Sequence, residues 1–162
     1  MIYLGIDPGL DGAVAAVGGA FGPAVYDTPT MTVAGSDGSK KRVYAISRMA
    51  EILSPYRGVA GDLLVLIENV HAMPGQGVRS MFSMGYGLGL WEGLLAGLGL
   101  PFERVTPQRW KKLMLDGQGK DKDASRFKAQ ALFPKAELHL KKHDGRAEAL
   151  LIAEYGRRTR GN

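Results

Sequence analysis

The chain opens with an apolar run, IYLGID at 2–7, that closes on an acid and meets Pro8-Gly9 at once. A short, β-friendly run stopped by Pro-Gly predicts a buried strand. GAVAAVGG and GPAVYDTP repeat the pattern around a glycine-rich turn at Gly18, Gly19 and Gly22, so the segment predicts a three-stranded antiparallel meander. TMTVAGSDGSKKR is polar and turn-rich, and is expected to be a mobile loop. In VYAISRMAEILSPY the apolar spacing of Ile46, Met49, Ile52 and Leu53 predicts a helix ending near Pro55. DLLVLIEN is a continuous apolar run closing on Glu68, the pattern of a central parallel strand covered on both faces.

Helical spacing returns from Ser80 to Gly97, diluted by Gly85, Gly87, Gly89, Gly93 and Gly97. Each glycine costs up to about 1 kcal/mol of helix stability, while allowing another helix to approach closely. PFERVTP predicts a further strand, and PQRWKKLML a helix with Pro107 in its first turn. Residues 121–133 and 144–158 predict two more helices, the last apolar at Ala147, Leu150, Leu151 and Ala153. The order β-β-β-α-β-α-β-α-α-α predicts an α/β fold with a mixed five-stranded sheet, a meander plus parallel strands, and helices on both faces. At 162 residues, the chain is expected to be one domain, 1–162.

Composition narrows this. With 45% hydrophobic and 23% charged residues the chain is globular in type, and its richest apolar stretch, GLGLWEGLLAGLGLP, is broken by Glu92 and several glycines. No membrane association is expected. The start, MIYLGID, lacks the basic and apolar regions of a secretory signal, and the chain has no cysteine, so an intracellular setting is expected.

The net charge of +5 is unevenly spread: residues 104–162 hold 15 of the 21 Lys and Arg but 7 of the 16 acids. Such a skew is the footprint of a phosphate-bearing partner, the alternative being a solvated face. Lys111, Lys112, Lys120, Lys122, Arg126 and Lys128 are the densest basic group, expected to touch backbone phosphates. Trp110 among them either stacks on a base or packs half-buried in the core.

Four acids stand at related addresses: Asp7 and Glu68 end strands, and Asp144 and Glu148 lie four apart, on one face of the last helix. If the two strands are neighbours, Asp7 and Glu68 emerge side by side, and such a cluster repels itself unless cations neutralise it. Oxygen ligands suit Mg²⁺ or Mn²⁺; two such ions can activate a water and stabilise the leaving 3′-oxygen of a phosphodiester. Each acid also has a plainer reading, Asp7 as a turn former and Asp144 as a helix N-cap. Only the joint arrangement carries the chemistry.

GIDPGLDGA, the acid closing LVLIE, VTPQRWKK and the terminal HDGRAEALLIA together resemble the RuvC-type Holliday junction resolvases of the RNase H-like superfamily, in particular a compact phage-encoded branch. The resemblance implies a homodimer that nicks opposed strands of branched, four-way DNA symmetrically with Mg²⁺ or Mn²⁺, two ions per site. By position it implies that Asp7 bridges both ions, Glu68 holds the one nearer the leaving group, and Asp144 with Glu148 holds the other. The usual terminal pair is spaced three apart, so the fourth ligand is Asp144 or its neighbour His143. NVHAMPGQGVRSMF falls where such proteins wedge open the junction, with Met73 and Phe82 as apolar candidates and Arg79 as a phosphate contact. Phe82 has core packing as its alternative. The glycine-rich helix that follows is implied to form the dimer interface.

The opening also resembles the sugar kinase, Hsp70 and actin superfamily, but those proteins need two such domains, so no nucleotide cofactor is expected. A nuclease for other branched, single-stranded or hybrid nucleic acid, and a non-catalytic basic DNA-binding module, are the remaining alternatives.

Overall fold

The computed structural model describes residues 1–19, 22–36, 38–59, 61–71, 75–116 and 123–161. Strands β1 (Ile2–Asp7), β2 (Ala13–Gly18) and β3 (Ala24–Asp27) form the expected antiparallel meander. After it come β4 (Thr30–Ala34), β5 (Lys40–Tyr44) and helix α1 (Ile46–Leu53). Strand β6 (Leu63–Glu68) and helix α2 (Val78–Gly97) follow, then β7 (Phe102–Val105), α3 (Pro107–Met114), α4 (Ala124–Leu132) and α5 (Asp144–Arg160). The main sheet has the order β3-β2-β1-β6-β7, with β6 parallel to both β1 and β7. This is the expected mixed five-stranded sheet.

Residues 30–34 and 40–44 depart from the expected mobile loop. They form a separate antiparallel hairpin, β4 with β5, in which Met31 faces Val43 and Val33 faces Lys41. Its alternation is masked by Lys40, Lys41 and Arg42 on the exposed strand, and Tyr44, the only buried residue of its two strands, stands at the far end. Because β5 takes Val43 and Tyr44, α1 begins at Ile46 rather than three residues earlier.

Side-chain alternation splits the core in two. Leu4, Ile6, Val65 and Ile67 face α1 and α2, meeting Met49, Leu53, Trp91 and Leu95. Tyr3 and Leu66 face the opposite layer of α3, α4 and α5. Helix α5 is enclosed by its neighbours along its middle, where Ala147 and Ala149 to Ala153 are wholly buried. It lies directly on the sheet because Gly5 has no side chain: a Cβ there would overlap the Ala149 carbonyl and the Ala153 amide. Near its C-terminal end Gly156 fits over Leu66 and Tyr3, so α5 runs antiparallel to β1 and brings its first turn to the level of Asp7. No helix among the described residues is long and apolar enough to cross a membrane.

Candidate active site

The same alternation places the acids. Asp7 has the parity of Tyr3 and Gly5, and Glu68 that of Leu66, so both project from the C-terminal ends of adjacent parallel strands towards α5. The first turns of α5 carry Asp144 and Glu148 to the same edge, over a pocket of about 850 Å³ lined by Asp7, Arg42, Lys111, Asp144 and Glu148. Gly145 explains why the two helix acids are four apart: the position three before Glu148 is pressed against the turn after β1, where a Cβ would strike the Asp11 carbonyl and Gly12. No side chain fits there.

Each acid has a distinct partner. Asp7 Oδ1 accepts the backbone N–H of Gly9 at 3.2 Å, and Glu68 Oε1 accepts the indole N–H of Trp110 at 2.8 Å. Glu148 pairs with the Lys111 ammonium at 2.8 Å, and Asp144 with the Arg126 guanidinium at 3.3 Å. The Asp7 pKa is pushed up to about 7, chiefly by burial and then by the charges of Glu148 and Glu68. Glu68 is raised by burial and by Glu148, against the pull of Trp110 and Lys111. Burial works against the Lys111 ammonium, yet Glu148, Glu68 and Asp7 together hold its pKa above the ordinary value. Three carboxylates and one ammonium therefore share a single electrostatic environment.

The donor set, carboxylate oxygens that repel one another, is the chemistry a hard divalent cation satisfies. As the side chains stand, no three His or acidic groups among the described residues are grouped to hold one ion, and Lys111 supplies the compensating charge. Asp7, Glu68, Glu148 and Asp144 are the residues that could hold a cation, Asp7, Asp144 and Glu148 lining the pocket. His143 lies elsewhere: its ring is buried, 5.4 Å from His139, and the charges it feels are those of Arg146, His139, Lys142 and Asp27.

Other expected site residues fall in varied places. Trp110 is wholly buried rather than half-buried, with the Lys111 Nζ 4.9 Å over its ring. Arg126 is largely covered, held by Asp123 and Asp144. Lys112 and Arg79 are exposed, and Lys128 pairs with Asp116. Phe82 is 75% exposed, which excludes a core role, and stacks on Tyr86 with centroids 6.2 Å apart. Met73, Lys120 and Lys122 lie outside the described residues. Sequence reasoning missed the cations of the hairpin: Lys40, Lys41 and Arg42 line a groove with Arg79, Phe82 and Tyr86 beside the acidic pocket. The KKR run was the available signal.

The sheet order, with its antiparallel meander, parallel pair and helices on both faces, defines an RNase H-like α/β domain. Its particular version is the RuvC fold. Thermus thermophilus RuvC superposes with a TM-score of 0.59 at 20% identity, covering 98% of this chain and 96% of that one. T. thermophilus RuvC in complex with a Holliday junction substrate superposes with a TM-score of 0.62 at 16% identity, covering 98% and 95%. In sequence, the chain is 40% identical over 85 residues to the chloroplastic Holliday junction resolvase MOC1 of Chlamydomonas reinhardtii. That stretch is 51% of this chain and 10% of the relative, so the chain matches a small part of its length. No protein-family model matches the chain.

Proposed function

We propose that this chain is a divalent-cation-dependent DNA endonuclease that resolves four-way junctions by paired, symmetric nicks. The observation that carries the reading is the convergence of Asp7, Glu68 and Glu148 from β1, β6 and α5 around one ammonium, with Asp7, Glu148 and Lys111 lining an open pocket and Glu68 buried behind them. The local sequence likeness to a junction resolvase and the fold of RuvC support the choice of DNA branch.

When bound, Mg²⁺ or Mn²⁺, two ions per site, would lower the pKa of the attacking water and stabilise the leaving 3′-oxygen. Asp7, Glu68, Glu148 and Asp144 would hold the cations. The indole of Trp110 orients Glu68, and Lys111, once displaced from Glu148, presents its charge to the scissile phosphate. The basic hairpin, Arg79 and Lys112 offer exposed cations for neighbouring phosphates, and Phe82 with Tyr86 an aromatic surface for unpaired bases.

The junction preference requires a twofold partner. Gly85, Gly89, Gly93 and Gly97 form a four-residue repeat along α2, and a Cβ at any of them would meet nothing within 4 Å in this chain. Their cost in helix stability finds no return within the monomer. A second copy packed on this stripe would place two sites in the symmetry of a four-way junction.

The test is a nicking assay on four-way junction, fork, flap, single-stranded and RNA-DNA hybrid substrates, with Mg²⁺, Mn²⁺ or chelator. Paired junction nicks that need the metal are expected. Faster cutting of the hybrid or flap would move the substrate assignment, and DNA binding without metal-dependent cutting would leave a non-catalytic module.

A further inference from the structure

We propose that Tyr44 is a positioning residue of the active site, its hydroxyl pinning the turn that carries Asp7. The inference rests on the nuclease reading above. Tyr44 is the last residue of β5, is 6% exposed, and donates to the Pro8 carbonyl oxygen at 3.1 Å. The Ser83 carbonyl on α2 lies 3.4 Å from the same hydroxyl. One proton serves two acceptors, and the shorter contact is to the residue next to Asp7.

Helix α2 is cut away to admit this contact. A Cβ at Gly87 would overlap both the Tyr44 hydroxyl and the Pro8 carbonyl oxygen, whereas one at Gly85 or Gly89 would meet nothing. Gly87 therefore serves a different purpose from the glycines around it. On the opposite side, α5 closes on the same turn through Gly145, where a Cβ would strike the Asp11 carbonyl and Gly12. The turn is thus gripped between two helices, each bare at its point of contact. Within it, Gly9 donates to Asp7 Oδ1, so the carboxylate's orientation follows the turn backbone.

A second link runs beside the first. Arg42 pairs with Asp11 at 2.5 Å, but the Asp11 side chain is 84% exposed, and solvent-facing pairs of this kind hold little. The buried hydroxyl is the firm tie between the hairpin and the Asp7 turn. A group that orients a metal ligand from behind typically contributes ten- to a hundredfold, roughly, in cation affinity.

The experiment compares wild type, Tyr44→Phe, Gly87→Ala and, as a control for loss of a tyrosine hydroxyl elsewhere, Tyr56→Phe. Manganese binding is measured by calorimetry without DNA, junction affinity in chelator, and nicking against Mg²⁺ concentration. Tyr44→Phe is expected to weaken manganese binding about tenfold or more, to move the Mg²⁺ midpoint upward and to lower kcat, with junction affinity and KM unchanged. Gly87→Ala should reproduce that pattern, and Tyr56→Phe should match wild type. A Tyr44→Phe protein with lowered melting temperature but wild-type manganese affinity and Mg²⁺ midpoint makes the hydroxyl merely a packing contact and overturns the proposal. If Tyr44→Phe does not fold, Gly87→Ala with wild-type manganese affinity overturns it equally. Wild type that neither binds manganese nor nicks DNA would remove the nuclease reading itself, and this inference with it.

Discussion

Trp110 donates its indole N–H to Glu68 at 2.8 Å across 42 residues of sequence, tying α3 to the end of β6. The bond favours the charged form of Glu68 against burial and the nearby Glu148. Trp110→Phe keeps most of the ring volume and removes this donor. Glu68 should then hold its proton more tightly, moving the rise of the nicking rate with pH to higher pH. A loss of about 1–3 kcal/mol in stability should accompany it, because a buried acceptor is left alone. Chemical denaturation and a pH-rate profile read the two effects, and an unshifted profile would make the indole a packing element alone.

Asp7 should reveal itself in the stability of the metal-free protein. Its folded pKa of about 7 lies above the unfolded value of 3.8, so the folded state binds the proton more tightly. The stabilisation is full below the lower value and is lost as pH rises through the upper one. Asp7→Asn removes that loss. In chelator, the melting temperature of the variant relative to wild type should rise from about pH 5 to about pH 8 with junction affinity unchanged, and in Mg²⁺ its nicking should fall by several orders of magnitude. A flat difference across that range would show that neither burial nor the charges of Glu148 and Glu68 raise Asp7 in the folded protein.

Phe82 makes its contribution, on this reading, only when DNA is present. With 75% of it exposed, Phe82→Ala should change the melting temperature little. Loss of a stacking surface of about 1–3 kcal/mol per base should instead weaken opening of the junction centre, followed by a fluorescent base analogue there. Wild-type fluorescence changes and turnover in the variant would retire Phe82 as a wedge.

The glycine stripe is checked by bulk. Gly93 has open space around a would-be Cβ, so Gly93→Leu should leave the monomer folded and gain helix propensity, while blocking close approach of a second α2. Sedimentation equilibrium should show a dimer for wild type and a monomer for the variant, and junction nicks should become unpaired. A variant that remains dimeric places the interface on another face.

How much of this was legible beforehand varies with the physical origin of each feature. IYLGID and DLLVLIEN read as buried strands because continuous apolar runs leave few other options, and their terminal acids marked the sheet edge correctly. The β4–β5 hairpin did not, since its one buried anchor, Tyr44, stands at the end of an otherwise charged strand. Lys111 read as a surface phosphate contact because two adjacent lysines on a helix look alike in sequence. They differ in the fold because α3 turns one towards Glu148 and the other to solvent.

From the order of residues alone came the strand and helix succession, the mixed sheet, and the candidacy of Asp7, Glu68, Asp144 and Glu148, because hydrophobic periodicity and strand-end position are local properties of the chain. Which acids share a field was settled only by tertiary packing. Gly5 and Gly145 set how closely α5 lies on β1, and that distance joins Glu148 to Asp7 and Glu68 while Asp144 turns to Arg126. Electrostatic coupling falls with separation in space, and only the packed chain fixes those separations.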